Sequence, residues 1–240
     1  MGDTVAWNSS VSSSTPFTQI FSLKELVPLT STPGRKLYLD FSRFLIKDNF
    51  PATEILISWE NVLQVINKFG KDVNGIKFSG SKISAPGVCK LLIPLTNSSP
   101  GNVNRLTSLK YLDVSFISLS LDAFEAICSM VHPTKGTYSI KVLILSKCSL
   151  GTAQVSHLFQ SLCGNNIIEE VVVSGNNCGD AAVPKIVSFL LEYKNIVTKL
   201  GIGGNKITSK GKLCDNLLGK LNSIDQISFA YQVCSNSVTY

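Results

Sequence analysis

One short pattern occurs three times between residues 140 and 207, at nearly constant spacing. Each copy spans eight positions. Apolar residues occupy the first, third and eighth positions, and Asn or Cys occupies the sixth. The fourth and fifth positions are small or polar, and the other two vary. The copies are Leu143-x-Leu145-x-x-Cys148-x-Leu150, Val171-x-Val173-x-x-Asn176-x-Cys178 and Leu200-x-Ile202-x-x-Asn205-x-Ile207. Another apolar residue stands three positions before each copy, at Ile140, Ile168 and Val197. Three similar segments in a row restrict the chain to folds that stack one structural unit repeatedly.

The spacing within the pattern predicts a strand followed by a bend. Apolar residues two apart, such as Leu143 and Leu145, point to the same face of a strand. We expect the Asn or Cys side chain to turn inward at the bend and donate to backbone carbonyls of the neighbouring turn, which would otherwise be buried without partners. One coil cannot bury its own apolar side. The sequence therefore predicts a leucine-rich-repeat solenoid, an α/β horseshoe with parallel strands on the concave face and helices on the convex face.

Weaker copies of the pattern extend the repeat in both directions. Strands are predicted to begin near residues 39, 76, 112, 143, 171, 200 and 227, at intervals of 27 to 37 residues that leave room for helices. Apolar residues recur at helical spacing in three groups: Phe124, Ile127 and Val131; Val155, Leu158 and Leu162; Leu213, Leu217 and Leu221. Helix caps are predicted at Ser120, Thr152, Asp180 and Thr208. Pro184 fits a helix only in its first turn.

The chain divides into a short lead and one repeat domain. Residues 1–18 are rich in serine and show little periodicity, so we expect a flexible N-terminal lead. Residues 19–240 are predicted to form a leucine-rich-repeat domain of about seven repeats, with the apolar segment after residue 19 covering its open end. The last copy of the pattern ends at Cys234, six residues before Tyr240, so we expect a fragment of a longer array.

Composition favours a cytoplasmic globular protein. The hydrophobic content of 44% is typical of a chain with a substantial core and argues against disorder. No apolar run approaches the roughly 18 residues of a membrane span, and the N-terminus lacks the basic and apolar segments of a secretory leader. None of the seven cysteines forms a C-x-x-C pair, and each fits a repeat or helix position. We therefore expect buried thiols, with no metal, disulfide or cofactor.

The strand residues that point away from the core are predicted to line a concave face for a protein partner. Tyrosine beside apolar residues and scattered charge is a composition typical of protein contacts, although any exposed sheet has outward residues. The predicted contact residues are Tyr38, Asp40, Lys77, Tyr111, Asp113, Val142, Ile144, Glu170, Val172, Lys199, Gln226 and Ser228.

Two further surface features lie near the C-terminal repeats. Glycine is frequent at Gly175, Gly201, Gly203 and Gly204, where it would accommodate the sharp bend after each strand or admit a partner's backbone. A basic patch is predicted from six lysines opposed by the single acid Asp215: Lys194, Lys199, Lys206, Lys210, Lys212 and Lys220. Such a patch is either a solvated face or a site for an acidic protein or anionic lipid. It lacks arginine and interleaved aromatic residues, so we expect no nucleic acid.

Catalysis has little support in the sequence. His132 and His157 are the only histidines, and neither belongs to a nucleophile or metal-ligand motif. No phosphate-binding Gly-x-x-x-x-Gly-Lys segment is present. We expect a protein that is not an enzyme and has no small-molecule substrate. The one catalytic alternative is a GTPase activator that supplies an arginine in trans, for which Arg43 is the candidate.

Over roughly residues 36–235 the chain resembles the ribonuclease-inhibitor class of leucine-rich repeats. Its central part is similar to the CARMIL family, cytoskeletal linkers that regulate actin capping protein. The resemblance lies in Leu143–Leu150, in Ala153–Val155, in Asn195-Ile196 and in Leu200–Asn205. It implies a non-catalytic scaffold at actin-rich membrane sites. The family's capping-protein-binding segment and membrane-binding domain lie outside its repeats and have no match here. A ligand-sensing repeat module of an innate immune receptor remains an alternative.

Overall fold

A computed structural model describes residues 4–6, 37–40, 45–47, 57–58, 70–79, 82–83, 92, 106, 108–133, 140–193, 196–208 and 226–228. The strands within these residues are β1 Thr4–Ala6, β2 Leu37–Asp40, β3 Leu45–Lys47, β4 Ile57–Ser58, β5 Val73–Lys77, β6 Lys82–Ile83, β7 Tyr111–Asp113, β8 Val142–Ile144, β9 Glu170–Val172, β10 Lys199–Gly201 and β11 Gln226–Ser228. The helices are α1 Leu121–Val131, α2 Thr152–Ser161 and α3 Val183–Tyr193, with a 3₁₀ turn at Asp180–Ala182.

The described strands form a larger all-parallel sheet and a smaller one. Eight of them lie in the order β1-β2-β5-β7-β8-β9-β10-β11, which follows their order in the chain. All seven strands predicted from the repeated pattern belong to this sheet. Helices α1, α2 and α3 each lie between two consecutive strands of it in the chain. The prediction of an α/β fold with a parallel sheet is therefore confirmed.

Two features of the sheets differ from the prediction or extend it. Residues Thr4–Ala6 of the expected flexible lead form the edge strand β1, which pairs with β2, while the rest of the lead lies outside the described residues. The smaller parallel sheet has the order β4-β3-β6 and was not predicted. It pairs Ile46 with Ile83, the last apolar positions of the first two copies of the pattern. The smaller sheet therefore joins the segments that follow β2 and β5 in the chain.

The described helices follow the predicted apolar rhythm. Phe124, Ile127 and Val131 lie on the buried side of α1, and Val155 and Leu158 are fully buried in α2, with Leu162 at its C-terminal end. Pro184 is the second residue of α3, where its missing N–H breaks no helical hydrogen bond. The third predicted group, Leu213, Leu217 and Leu221, lies outside the described residues.

Two of the predicted caps instead join neighbouring coils. Ser120 caps α1 as predicted, since its hydroxyl accepts from the backbone N–H of Ala123 at 3.3 Å. Thr152 does not cap α2, which has Gly151 at that position; its hydroxyl accepts from the N–H of Gly179 in the next coil at 2.9 Å. The carboxylate of Asp180 likewise accepts from the N–H and the hydroxyl of Thr208, both at 2.6 Å. Thr152 and Asp180 therefore accept hydrogen bonds from backbone donors of the next coil instead of capping their own helices.

The core is built from residues at equivalent pattern positions. Leu112, Leu143, Val171 and Leu200 are paired in register across β7, β8, β9 and β10 and are fully buried. The helices complete the core; the rings of Phe159 in α2 and Phe189 in α3 meet edge to face at 5.4 Å. Each copy thus contributes the same apolar positions to one continuous core. None of the described helices is both long enough and apolar enough to cross a bilayer.

Candidate partner-binding face

From β2 to β11, the register of the larger sheet arranges its non-core residues in two parallel rows, which we call the outer face. The first row is Tyr38, Gly75, Tyr111, Val142, Glu170, Lys199 and Gln226. The second row is Asp40, Lys77, Asp113, Ile144, Val172, Gly201 and Ser228. All the predicted contact residues occupy these two rows. For Asp40, Gln226 and Ser228, the position in these rows follows from the backbone pairing of the strands.

Two tyrosines close together form one end of the described outer face. The rings of Tyr38 and Tyr111 lie 5.2 Å apart at an interplanar angle of 52°. Gly75 lies between them in the first row, and a Cβ there would come within 2.4 Å of Cδ2 of Tyr38. Because Gly75 has no side chain, the Tyr38 ring can lie over the sheet at this position. Sequence reasoning missed Gly75, although its place in the Gly75-Ile76-Lys77 strand is the same as that of Tyr38 and Tyr111.

The middle of the outer face is apolar. Val142, Ile144 and Val172 are each partly exposed, on β8 and β9. Gly201 follows Val172 in the second row, and a Cβ on Gly201 would approach Cγ1 of Val172 to 2.6 Å. The valine side chain thus leans over the glycine and widens the apolar surface. Partly exposed branched side chains next to one another are the kind of contact that a protein partner can bury.

Ion pairs border this apolar centre. The carboxylate of Glu170 meets the ammonium of Lys199, its neighbour in the first row, at 2.5 Å. Lys141 and Glu169, which precede β8 and β9, form a second pair. The Lys141–Glu169 pair is exposed on both sides and contributes only about 0–1 kcal/mol to stability, because solvent screens it. The two pairs place four charged groups beside the apolar centre.

One predicted contact residue has a structural role instead. Asp113 is buried with 5% of its surface exposed, and its Oδ1 accepts from the backbone N–H of Ser115 at 2.9 Å. An aspartate two residues before a turn commonly satisfies the turn's own donor in this way. The prediction of Asp113 as an exposed contact residue is therefore wrong.

The predicted basic patch is described at only two of its lysines. Lys199 is paired with Glu170 and belongs to the outer face. Lys206 is exposed, and its backbone N–H donates to the carbonyl of Cys178 at 2.7 Å. The remaining members lie outside the described residues: Lys194, Lys210, Lys212 and Lys220. A patch made of all six lysines accordingly stays a prediction.

A row of left-handed residues follows the outer face at the bends. Phe116, Lys147, Gly175 and Gly204 occupy the same position of successive copies, and their φ angles are 66°, 54°, 71° and 68°. Gly175 and Gly204 confirm that glycine serves the bend. Gly201 serves close packing under Val172. Phe116 and Lys147 were not singled out from the sequence, although aligning the four copies places them where later copies have glycine.

The buried cysteines are held as neutral thiols. Burial raises the pKa of Cys128 and Cys148 to about 12 and that of Cys178 to about 11. Cys163 lies just after α2 and is exposed, so the prediction that every cysteine is buried is wrong there. Cys89, Cys214 and Cys234 lie outside the described residues. A thiol with a raised pKa is a poor nucleophile at neutral pH.

The two histidines lie on the helix side of the chain. Nε2 of His157 is 3.2 Å from a carboxylate oxygen of Glu125, which joins α2 to α1, and His132 is the C-terminal cap of α1. Among the described residues, no group of three or more His, Cys, Asp or Glu side chains could hold a metal ion. Arg43, the candidate of the GTPase-activator alternative, lies outside them.

No protein-family model matches the chain, and a search of curated proteins found no matching sequence. The outer face and the bends beside it are therefore the features from which we infer a function.

Proposed function

We propose that this chain is a leucine-rich-repeat solenoid that acts as a non-catalytic protein-interaction scaffold, with the outer face as its partner-binding surface. The observation that carries the proposal is the register of the sheet, which lines up residues about one repeat apart in the chain. Val142, Glu170 and Lys199, for example, are direct neighbours in the first row. Such alignment turns a repeated sequence into one continuous surface.

The bends support the repeat interpretation independently of the strands. Asn176 Nδ2 donates to the carbonyl of Leu145 at 2.8 Å, and Asn205 Nδ2 donates to that of Val173 at 3.0 Å. The Cys148 thiol donates in the same way to Val114, at 3.3 Å. Each acceptor is the second apolar residue of the preceding copy. Three successive copies thus use one side chain for the same purpose, as stacked coils of a horseshoe require.

The composition of the outer face favours a protein as the partner. Its centre is apolar at Val142, Ile144 and Val172, with tyrosines at one side and ion pairs at the other. Protein interfaces commonly combine aromatic anchors, a partly apolar centre and a polar rim. A small-molecule site would instead need a concave pocket with converging polar groups.

We further propose that the scaffold is of the CARMIL type and works in the cytoplasm at actin-rich membrane sites. The resemblance in Leu143–Leu150 and Leu200–Asn205 supports this assignment. Both segments combine a strand of the larger sheet with the bend that follows it. They therefore lie where a family-specific partner would approach the proposed surface.

A photo-cross-linking residue at position 144 tests both parts of the proposal. The matched control carries the same residue at Ser188, which is exposed on α3. The full chain with each label is irradiated in cell extract, and the cross-linked proteins are identified by mass spectrometry. We expect cytoskeletal proteins linked through position 144 and not through position 188.

The two outcomes that contradict the proposal are different. Equal cross-linking at positions 144 and 188 would show that the outer face is not the binding surface. Specific cross-linking at position 144 to proteins unconnected with the cytoskeleton would leave the scaffold role in place and remove the CARMIL-type assignment.

A further inference from the structure

The left-handed row runs across four coils beside the outer face. Backbone hydrogen bonds connect its members to the next coil: Phe116 donates to Ser146, Lys147 to Ser174 and Gly175 to Gly203, at 2.7–2.8 Å. Neighbouring strands lie about 4.8 Å apart, so the row from Phe116 to Gly204 spans about 14 Å. An extended peptide of about four or five residues covers that length.

Phe116 and Lys147 occupy a backbone geometry that disfavours their side chains. A φ near +60° brings Cβ close to the following carbonyl oxygen, and it is an outlier for a bulky residue such as phenylalanine. The equivalent positions in the next two coils are glycine, so the bend itself does not require a side chain. Residues with a strained backbone cluster at sites that bind ligands or partners.

The two side chains form one exposed unit. Phe116 has 57% of its surface exposed, and the Lys147 ammonium lies 4.9 Å from the centre of its ring. A Cβ on Gly175 would come within 2.7 Å of Cγ of Lys147, so the glycine leaves room for the lysine stem. The result is an aromatic ring and a cation presented together to solvent.

At the bends that the structure describes, the residues around this unit are polar or glycine, and none of them is acidic. We define the bend surface as the left-handed row together with the residue before each member and the residue two positions after it. These flanking residues are Ser115, Ser146, Ser174 and Gly203, and Ser118, Ser149, Asn177 and Lys206. Lys147 and Lys206 are its only charged residues, and both are exposed. The bend surface is therefore positively charged as well as low in relief.

The described helices, α1 to α3 with the 3₁₀ turn, have the opposite charge. Within α1, α2, α3 and the 3₁₀ turn the acidic residues are Asp122, Glu125, Asp180 and Glu192, and Lys185 is the one basic residue. A negatively charged partner is therefore attracted to the bend surface and repelled by the helices.

We propose that the bend surface binds an extended acidic segment of a partner protein, with an aromatic or aliphatic side chain against Phe116 and a carboxylate on Lys147. Gly204 allows the backbone of the segment to approach closely. Hydrogen bonds to it are offered by the exposed or partly exposed side chains of Ser118, Ser146, Ser149, Ser174 and Asn177. This inference rests on the proposed scaffold function and names the chemistry of a second contact beside the outer face.

A random dodecapeptide library displayed on phage and selected on the immobilised full chain provides the probe. Selected peptides are synthesised, and their affinities are measured by fluorescence anisotropy. We expect an excess of Asp and Glu together with an aromatic or aliphatic residue.

Both Phe116→Asn and Lys147→Glu are expected to weaken binding about tenfold or more. Asn tolerates the left-handed region, so Phe116→Asn retains the bend. Ser188→Glu on α3 is the control.

The outcomes separate this inference from the proposed function. Peptides that respond to Phe116→Asn and Lys147→Glu but not to Ser188→Glu support it. Peptides that respond only to Ile144→Asp on the outer face overturn it and leave the scaffold function standing. Peptides without acidic residues overturn it as well. Selection of no peptide above background counts against the inference alone, because the cross-linking at position 144 decides the scaffold function separately.

Discussion

At the scale of single residues, one buried amide joins two coils. Oδ1 of Asn176 accepts from the N–H groups of Cys148 and Leu150 at 2.9 and 3.0 Å, and Nδ2 donates to the carbonyls of Leu145 and Val173 at 2.8 Å. Four buried backbone groups depend on this side chain. Removal of the amide would take away the side-chain partner of Cys148, Leu150 and Leu145, whereas the carbonyl of Val173 would keep its bond from Asn205 Nδ2.

We therefore expect Asn176→Ala to lower the free energy of unfolding by about 3 kcal/mol or more, because every buried group that loses its partner costs about 1–3 kcal/mol. The adjacent Asn177 is exposed, so Asn177→Ala is expected to change stability by less than about 0.5 kcal/mol. Urea denaturation of both variants measures the difference. Equal losses in the two variants would contradict the inward role of Asn176.

The buried thiols predict a loss of stability at alkaline pH. The pKa of Cys148 is about 12 in the folded chain against 9.0 for a free thiol, because burial disfavours the thiolate. The thiol therefore stabilises the fold below about pH 9, and this contribution is lost as the pH rises towards the folded pKa. Each such thiol lowers the free energy of unfolding by about 1.4 kcal/mol per pH unit within that window.

Comparison with Cys148→Ala isolates this effect from other titrating groups. Between about pH 9 and pH 11 the variant is expected to lose stability less steeply than the parent chain. Cys163→Ala, which removes an exposed thiol, is the control and should follow the parent more closely. Identical slopes for the parent and Cys148→Ala would contradict the burial of that thiol.

Some residue roles follow from the pattern and others do not. The inward turn of Asn176, Asn205 and Cys148 could be predicted because the position repeats. The burial of Asp113 could not be predicted, because its carboxylate accepts a hydrogen bond from a local donor, the N–H of Ser115. Asn165 was also missed; it is buried and donates to the carbonyl of Val131 at 2.7 Å, without a repeated position to indicate it.

At the scale of elements, the helices pack against one another as well as against the sheet. Phe159 of α2 and Phe189 of α3 are both fully buried and meet edge to face. Apolar periodicity predicted α1 and α2 because their buried sides repeat every three or four residues. The predicted cap Ser120 marks the start of α1, whereas Thr152 and Asp180 do not serve as caps, because they bind the next coil instead of their own helices.

Phe159→Ala is expected to destabilise the chain by about 3–5 kcal/mol, because it removes a large side chain from the contact between α2 and α3. Its neighbour Gln160 is exposed, and Gln160→Ala is expected to have an effect below about 0.5 kcal/mol. Thermal unfolding followed by circular dichroism compares the two. A small effect of Phe159→Ala would contradict tight packing between these helices.

At the scale of the whole molecule, stacking gives the two sides different chemistry. The strands and bends carry the apolar centre of the outer face, the ion pairs and the lysines of the bend surface. The described helices and the 3₁₀ turn carry four acidic residues and one lysine. The seven strands could be predicted because register repeats with the pattern. The edge strand β1 and the smaller sheet could not, since neither contains a full copy of it.

The account depends on the register of β8, β9 and β10, which nuclear Overhauser effects between backbone protons test most directly. In the folded chain, deuterated on its side chains, contacts are expected between Val142 and Glu170 and between Glu170 and Lys199, together with contacts from Leu145 to Val172 and from Val173 to Gly201. Contacts shifted by one or more residues, or none between these strands, would contradict both the outer face and the bend surface.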